Sequence, residues 1–433
     1  MLIEFRVENH RSIRDEQVLS MVEGRGDSAD DPRPRKVAGY PERLLPAAAL
    51  YGANASGKSN VLEAVRFMRD AVLLSHRAWP PDEGVPRDPF AWGPKRAEPS
   101  LFEIVWLLDG VRYQYGFTAS DERFLEEWLY AWPRSRKQVW FERDGDLFQF
   151  SEHLKGENKI LAGVTRPNAL FLSAATQFGH TQLREVYNIA NKLNFINSYF
   201  DNKKYNYNFD LNINDLMSVV ERNSRSLGGS QSLSIRKQLA ERTLEEFRRF
   251  LKNADLGVLD FRVRKNNAIG VNPSLSVPYR FDLKHRCGTG DVWLPLEEES
   301  KGTQTLFRIA LPVIDSIWSG EALFIDELES SLHPALAREI VRRFNDPEAN
   351  PRNAQLIFTT HDTNLLGTTV GPPPLRRDQV WLTEKDSDGA TVLYPLTDFK
   401  PRKDENLERG YLQGRYGAIP FLGDFVSLGG TSE

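Results

Sequence analysis

Gly52-Ala53-Asn54-Ala55-Ser56-Gly57-Lys58-Ser59 fills every constrained position of the pattern G-x-x-x-x-G-K-[ST]. The glycines let the backbone wrap closely round a phosphate, and the amides and the following helix N-terminus then face negative charge. Lys58 is placed to reach β- and γ-phosphates and Ser59 to ligate Mg²⁺. The expected ATP-binding residues here are Gly52, Asn54, Ala55, Ser56, Gly57, Lys58, Ser59 and Asn60. A second group lies far downstream. Ala322-Leu323-Phe324-Ile325-Asp326-Glu327 is an apolar run ending in two carboxylates. On a buried strand, such an end sits where nucleotide ligands bind. Asp326 would hold Mg²⁺ through water, and Glu327 would orient and polarise the attacking water. Gln355-Leu356-Ile357-Phe358-Thr359-Thr360-His361-Asp362 is another buried-strand pattern, placing His361 toward the γ-phosphate. Alone, the acidic pair is as readily an ordinary strand end, and His361 a capped core histidine. A complete phosphate loop in the same chain favours the chemical reading. The reaction expected is ATP + H2O to ADP + phosphate, with Lys58, Glu327 and His361 as catalytic residues.

The elements that must position these groups follow from periodicity. Pro46–Tyr51 reads as a buried strand feeding the loop, and Val61, Leu62, Val65, Met68 and Val72 recur at helical spacing, predicting a helix over about 58–75. Leu2–Val7 and Val18–Met21 predict two strands joined by a polar turn, and residues 23–36 a surface loop. The proline-rich stretch 78–99 predicts an irregular connection. Strands are expected at 101–108, 111–118, 123–132, 138–142 and 146–150, with hairpin turns at Asp109-Gly110 and Asp144-Gly145. Residues 181–252 look mainly helical, with a polar centre at 197–215, and 255–296 returns to strands. From 304 the order is helix, strand 322–325, helix 335–344, strand 355–358, helix, then strands 378–383 and 390–394. Such alternation implies a parallel sheet. The expected fold is α/β: a P-loop ATPase head with an antiparallel β subdomain and a helical insert. The expected division is a lobe 1–180 with the loop and β subdomain, an insert 181–254, and a lobe 255–433 with the acidic strand, His361 and a tail.

Composition bounds the rest. The chain has 433 residues, 27% charged, with a formal net charge of −4, which excludes disorder and a globally basic nucleic-acid coat. A single cysteine, Cys287, excludes an internal disulfide and a cysteine-based zinc site, and Cys287 with His285 makes too few ligands for a metal. No apolar stretch approaches a membrane span and no secretion signal is visible, so the expected location is the cytoplasm, without membrane contact. Residues 187–214 contain nine Asn and four Tyr; they are either a stacking surface for nucleic acid or a partner, or a solvated insert. Small basic clusters at Arg134, Arg136 and Lys137, at Arg342-Arg343, at Arg376-Arg377 and at Lys400, Arg402 and Lys403 read as solvated faces.

Glu297-Glu298-Glu299-Ser300-Lys301-Gly302-Thr303-Gln304 precedes a helix with Leu306, Ile309, Ala310, Val313 and Ile317 on one face. The order of phosphate loop, Ser-x-Gly helix, Asp-Glu strand and strand-end histidine resembles the ABC-type ATPase heads of the SMC and RecF group. That resemblance implies that Ser300 and Gly302 of one subunit close over ATP held by another, in head-to-head homodimers or higher homo-oligomers. Here Lys301 and Thr303 depart from the group's L-S-G-G-Q signature. It also implies a coupling role for Gln177, for which a plain polar helix start is an equal reading. Closer still, Glu8–Ile13, Gly52–Asn60, Glu299–Thr303, Asp326–Pro334, Thr359–Asp362 and the ending Arg402–Pro420 resemble the bacterial ABC-like ATPases, labelled AAA, of abortive-infection and related phage-defence operons. The tail after His361 is too short for the Toprim nuclease domain of OLD-family enzymes. The resemblance implies a sensor ATPase that controls a separate effector nuclease. A RecF-like DNA-repair ATPase is the alternative, and a nucleotide-gated scaffold with little turnover is disfavoured by Glu327.

Overall fold

The computed structural model describes residues 1–24, 30–134, 136–196, 231–253, 257–265, 279–287, 290–330, 332–369, 371–402 and 405–420. The polar centre 197–215, Lys403 and Ser331 lie outside them. In chain order the elements are β1 (Leu2–Glu8), β2 (Gln17–Ser20), β3 (Arg35–Lys36), β4 (Arg43–Leu44), β5 (Ala47–Gly52), α1 (Lys58–Leu74), β6 (Ser100–Leu108), β7 (Val111–Ala119), β8 (Phe124–Trp132), β9 (Gln138–Asp144) and β10 (Leu147–Phe150). Then come α2 (Asn158–Gly163), α3 (Phe171–Gln177), α4 (Thr181–Asn191), β11 (Leu193–Ile196), α5 (Gln231–Asn253), β12 (Val258–Lys265), β13 (Tyr279–Cys287), β14 (Gly290–Pro295), α6 (Lys301–Ser319) and β15 (Ala322–Ile325). The chain closes with α7 (Pro334–Asn345), β16 (Gln355–Thr359), β17 (Val380–Lys385), β18 (Thr391–Pro395) and α8 (Leu407–Leu412). Two compact units result: Met1–Leu193 with Ile357–Glu433, and Asn194–Leu356. No helix of the described residues is long and apolar enough to cross a membrane.

In the first unit, strands order as β10-β9-β8-β7-β6-β1-β2 in one sheet, and as β16-β5-β17-β18 in another. The β6–β7 hairpin turns on Asp109 and Gly110, both at positive φ (49° and 78°), as a two-residue turn of matching twist requires. The β9–β10 turn falls one residue later than expected: Asp144 pairs with Leu147, so the loop is Gly145-Asp146. Phe67 of α1 packs on Phe102 and Phe117 of this sheet, with ring centroids 4.8 and 6.5 Å apart, which anchors the helix that opens at Lys58. All six residues of β5 are buried, and β17 runs parallel to it. A strand covered on both faces must be apolar throughout, which is why Ala47–Tyr51 shows no alternation.

The apolar run Ala169–Ser173 leads into the helix α3. Its N-terminal amides, Phe171 N and Leu172 N, donate to the buried Glu127 carboxylate at 2.6 and 3.0 Å. Three expectations need correction. The helix expected after β16 is only a short turn, Thr363–Leu365, capped by Asp362. The mainly helical stretch 181–252 contains a strand, β11. And Arg376 is not on a solvated face: it is 3% exposed and bonded to Asp378 and Glu23.

In the second unit, β12, β13 and β14 form an antiparallel sheet. Phe247 of α5 packs on Phe307 of α6 and Phe261 of β12, with centroids 4.7 and 5.1 Å apart. The helix α6 buries Leu306, Ile309, Ala310, Val313 and Ile317, the face that periodicity marked. β15 is buried throughout and lies between β11 and the start of β16. Phe195 of β11 stacks on Phe324 of β15 at 4.7 Å.

Candidate functional site

The phosphate-loop motif joins the C-terminal end of β5 to α1. Asn54 and Ala55 are exposed, Ser56 and Lys58 are buried, and Ser59 and Asn60 are half-buried. Lys58 Nζ donates to the carbonyls of Gly52 and Ala53 at 2.9 and 3.0 Å, so the ammonium is folded over the loop's own backbone. Both glycines are dictated by neighbours distant in sequence. A Cβ on Gly52 would lie 2.4 Å from Thr383 Oγ1 and 2.6 Å from Ser56 Oγ. A Cβ on Gly57, whose φ is 108°, would lie 2.0 Å from Thr391 Oγ1.

Those threonines belong to a chain of hydroxyls beneath the loop. Thr383 Oγ1 donates to Tyr51 O (3.2 Å) and lies 2.6 Å from Ser56 Oγ. Thr391 Oγ1 donates to Ser56 O at 2.8 Å. A hydroxyl has one proton to give, so at the 2.7 Å contact with Ser12 it is Ser12 that donates and Thr391 that accepts. Ser12 Oγ in turn accepts from Asn60 Nδ2 at 2.6 Å, and Lys385 Nζ donates to Thr391 Oγ1 at 3.1 Å. Burial pushes the Lys385 ammonium below its ordinary pKa. The loop is therefore braced in one shape, with its helix N-terminus opening at Lys58, and that shape suits an anion.

The strand β16 ends beside this loop. Thr360 N donates to Leu50 O (3.1 Å) and Tyr51 Oη to Asp362 O (2.9 Å), bracketing His361, whose side chain is exposed. The C-terminal segment, which sequence reasoning noted only as a resemblance, is packed here too. Tyr411 of α8 meets Tyr51 edge to face at 5.5 Å and donates to Ala418 O at 3.2 Å. Burial raises its phenol pKa, and the Gly52 amide opposes that rise. Glu408 accepts from Thr363 Oγ1 at 3.1 Å. The signal available beforehand was the density of Gly, Tyr and Arg in 409–417, which specifies a compact turn but not what it packs on. Gln177 is exposed at the last position of α3, so it ends a helix rather than starting one.

In the second unit, Asp326 and Glu327 follow β15, both half-buried. Asp326 N donates to Ile196 O at 3.3 Å, which holds the strand end against β11. Glu327 has a left-handed backbone (φ 54°), and Ser330 N donates to its carbonyl at 2.8 Å. A non-glycine residue held there costs of order 1 kcal/mol. Ser300 is the N-cap of α6, accepting from Thr303 N at 3.1 Å, with Gly302 half-buried in the first turn. Gln304 Nε2 bonds Glu299 O at 2.9 Å, and His285 Nε2 lies 2.6 Å from Glu299 Oε1. That last contact ties the turn before Ser300 to β13, a role for His285 that its proximity to Cys287 does not suggest.

None of the curated proteins compared with the chain matches it. Among solved structures, it is similar to an SMC head bound to the C-winged helix domain of ScpA (14% identity, 92% of this chain and 99% of that one, TM-score 0.46). It is also similar to the SMC head domain from Thermotoga maritima (13% identity, 91% and 98% covered, TM-score 0.38). The family model described as "AAA domain, putative AbiEii toxin, Type IV TA system" matches residues 47–367. The loop, the acidic strand end and His361 all fall inside that span, which is most of the chain, and the protein belongs to this AAA-domain family.

Proposed function

We propose that the chain is an ABC-like ATPase that binds and hydrolyses ATP, with Mg²⁺, as the sensor component of a multi-component anti-phage system. The observation that carries the reading is the braced loop: a phosphate cradle held by the hydroxyls of Ser12, Thr383 and Thr391. Preorganised amides of this kind suit a polyphosphate. Gly52, Asn54, Ala55, Ser56, Gly57, Lys58 and Asn60 would hold the phosphates. Ser59 and Asp326 would hold the metal, which neutralises charge on the β- and γ-phosphates when bound. Glu327 would take the proton of the attacking water, and His361 would contact the γ-phosphate. The family membership and the order of motifs support this assignment.

In the same reading, Ser300 and Gly302 complete the site of a second copy, so that ATP tightens a head-to-head homo-oligomer. In a Glu327→Gln background, ATP is expected to increase the sedimentation coefficient, and Ser300→Arg to block that increase while leaving nucleotide binding intact. An assembly that is the same with and without ATP in both proteins would remove ATP-gated closure.

The separate effector follows from a carboxylate inventory. Two-metal phosphodiester cleavage needs several acidic groups converging on metals about 4 Å apart. Asp326 and Glu327 are committed to ATP, and Asp386 and Asp388 are paired with Arg14 in a hairpin turn. The pure chain with Mg²⁺ or Mn²⁺ is expected to leave DNA and RNA intact, and phage protection to require a neighbouring gene. Full protection by this gene alone, or cleavage that survives Lys58→Ala, would overturn the two-component reading. ATP-dependent DNA binding without any effect on phage would favour the RecF-like alternative.

A further inference from the structure

The nucleotide reading leaves one end of the ligand without a partner, and the first unit holds a group suited to it. The strand order β16-β5-β17-β18 gives the phosphate loop two flanks. On one, the bonds from Thr360 N to Leu50 O and from Tyr51 Oη to Asp362 O set the His361 turn beside it. On the other, β17 runs parallel to β5, so the hairpin that follows Lys385 opens on the same edge of the sheet as the loop. In the reading proposed above the γ-phosphate takes the His361 flank, which leaves the hairpin flank to the base.

Trp92 stands there. It is 59% exposed, the largest side chain among the exposed apolar residues described. Its position is nonetheless fixed. Phe90, 3% exposed, meets it edge to face at 5.2 Å and 89°, and Phe90 N donates to Asn9 Oδ1 at 2.9 Å. The hairpin turn passes so close that a Cβ on Gly389 would come within 3.0 Å of the indole. Two residues on, Thr391 bonds Ser56 O in the loop. The same segment is tied to the turn after β1, since Arg11 N donates to Asp88 O at 2.6 Å. The next residue, Ser12, bonds Asn60, which follows Ser59. A held, solvent-facing indole beside an anion cradle has the chemistry of a stacking surface for a flat heterocycle.

We propose that Trp92 is the platform on which the base of the bound nucleotide stacks. The proposal rests on the phosphate-loop reading and adds a base subsite to it. Because every base has a π-face, the platform supplies affinity for the base and little choice among bases.

The test compares Mg-ATP with Mg-tripolyphosphate, which has the phosphates and no base, by titration calorimetry on the full chain. Trp92→Ala is expected to weaken ATP about five- to a hundredfold and to leave tripolyphosphate unchanged. Trp92→Phe should recover most of the ATP affinity. ATP should quench tryptophan fluorescence in the parent chain, tripolyphosphate should not, and the quench should fall in Trp92→Phe. Equal ATP affinity in the parent and Trp92→Ala overturns the platform and leaves the phosphate site standing. Equal loss of both probes in Trp92→Ala also overturns it, since Trp92 would then only support the loop. A parent chain that binds neither probe refutes the phosphate site and the platform with it.

Discussion

Glu327→Gln is expected to bind ATP as tightly as the parent chain and to hydrolyse it about a hundred- to ten-thousandfold more slowly. The amide has the shape of the carboxylate, so contacts made in the ground state survive, but it cannot accept the proton of water. The local fold should tolerate the change. β15 is buried along its whole length, the turn after it is closed by Ser330 N on Glu327 O at 2.8 Å, and neither feature uses the carboxylate. Lys58→Ala is the complementary variant. It removes the cation offered to the phosphates and also the bonds from Nζ to Gly52 O and Ala53 O, so it should lose binding itself. Equilibrium binding and phosphate release, measured side by side, separate the two. Turnover by Glu327→Gln equal to that of the parent would show that this carboxylate is not the base.

Gly57→Ala is expected to weaken ATP about ten- to a hundredfold, at a cost of about 1–3 kcal/mol in stability. The added methyl would sit 2.0 Å from Thr391 Oγ1 at a φ of 108°, which alanine avoids. Relief requires Thr391 to move, and its bond to Ser56 O and its contact with Ser12 go with it. The control is Ala55→Gly. Ala55 already holds a φ of 62°, so glycine there relieves strain and should leave affinity unchanged or slightly tighter. Normal ATP affinity in Gly57→Ala would mean that the brace does not govern the phosphate cradle.

Legibility differed by element for physical reasons. The helix α1 and strand β5 were readable because each announces itself within one window: an apolar face at helical spacing, and an unbroken apolar run ending at Gly52. The strand β11 was not. Leu193-Asn194-Phe195-Ile196 is four residues between polar stretches, and it is a strand because it pairs with β15 and stacks Phe195 on Phe324. Arg376 read as a surface cation because its sequence neighbour is another arginine. Only the fold brings Glu23 to it across 353 positions.

The sequence by itself determined the phosphate-loop motif, the strand that feeds it and the helix that leaves it. These depend on backbone freedom at glycine, side-chain periodicity and turn chemistry, all local properties. Tertiary structure alone decided what holds the loop in shape. Thr383 meets Ser56 across 327 positions and Thr391 meets it across 335, while Tyr411 reaches Tyr51 from the far end of the chain. A threonine in a hairpin strand looks the same in sequence whether it faces water or a phosphate loop. Its partner is set by which strands lie side by side, and strand order is a property of the whole sheet.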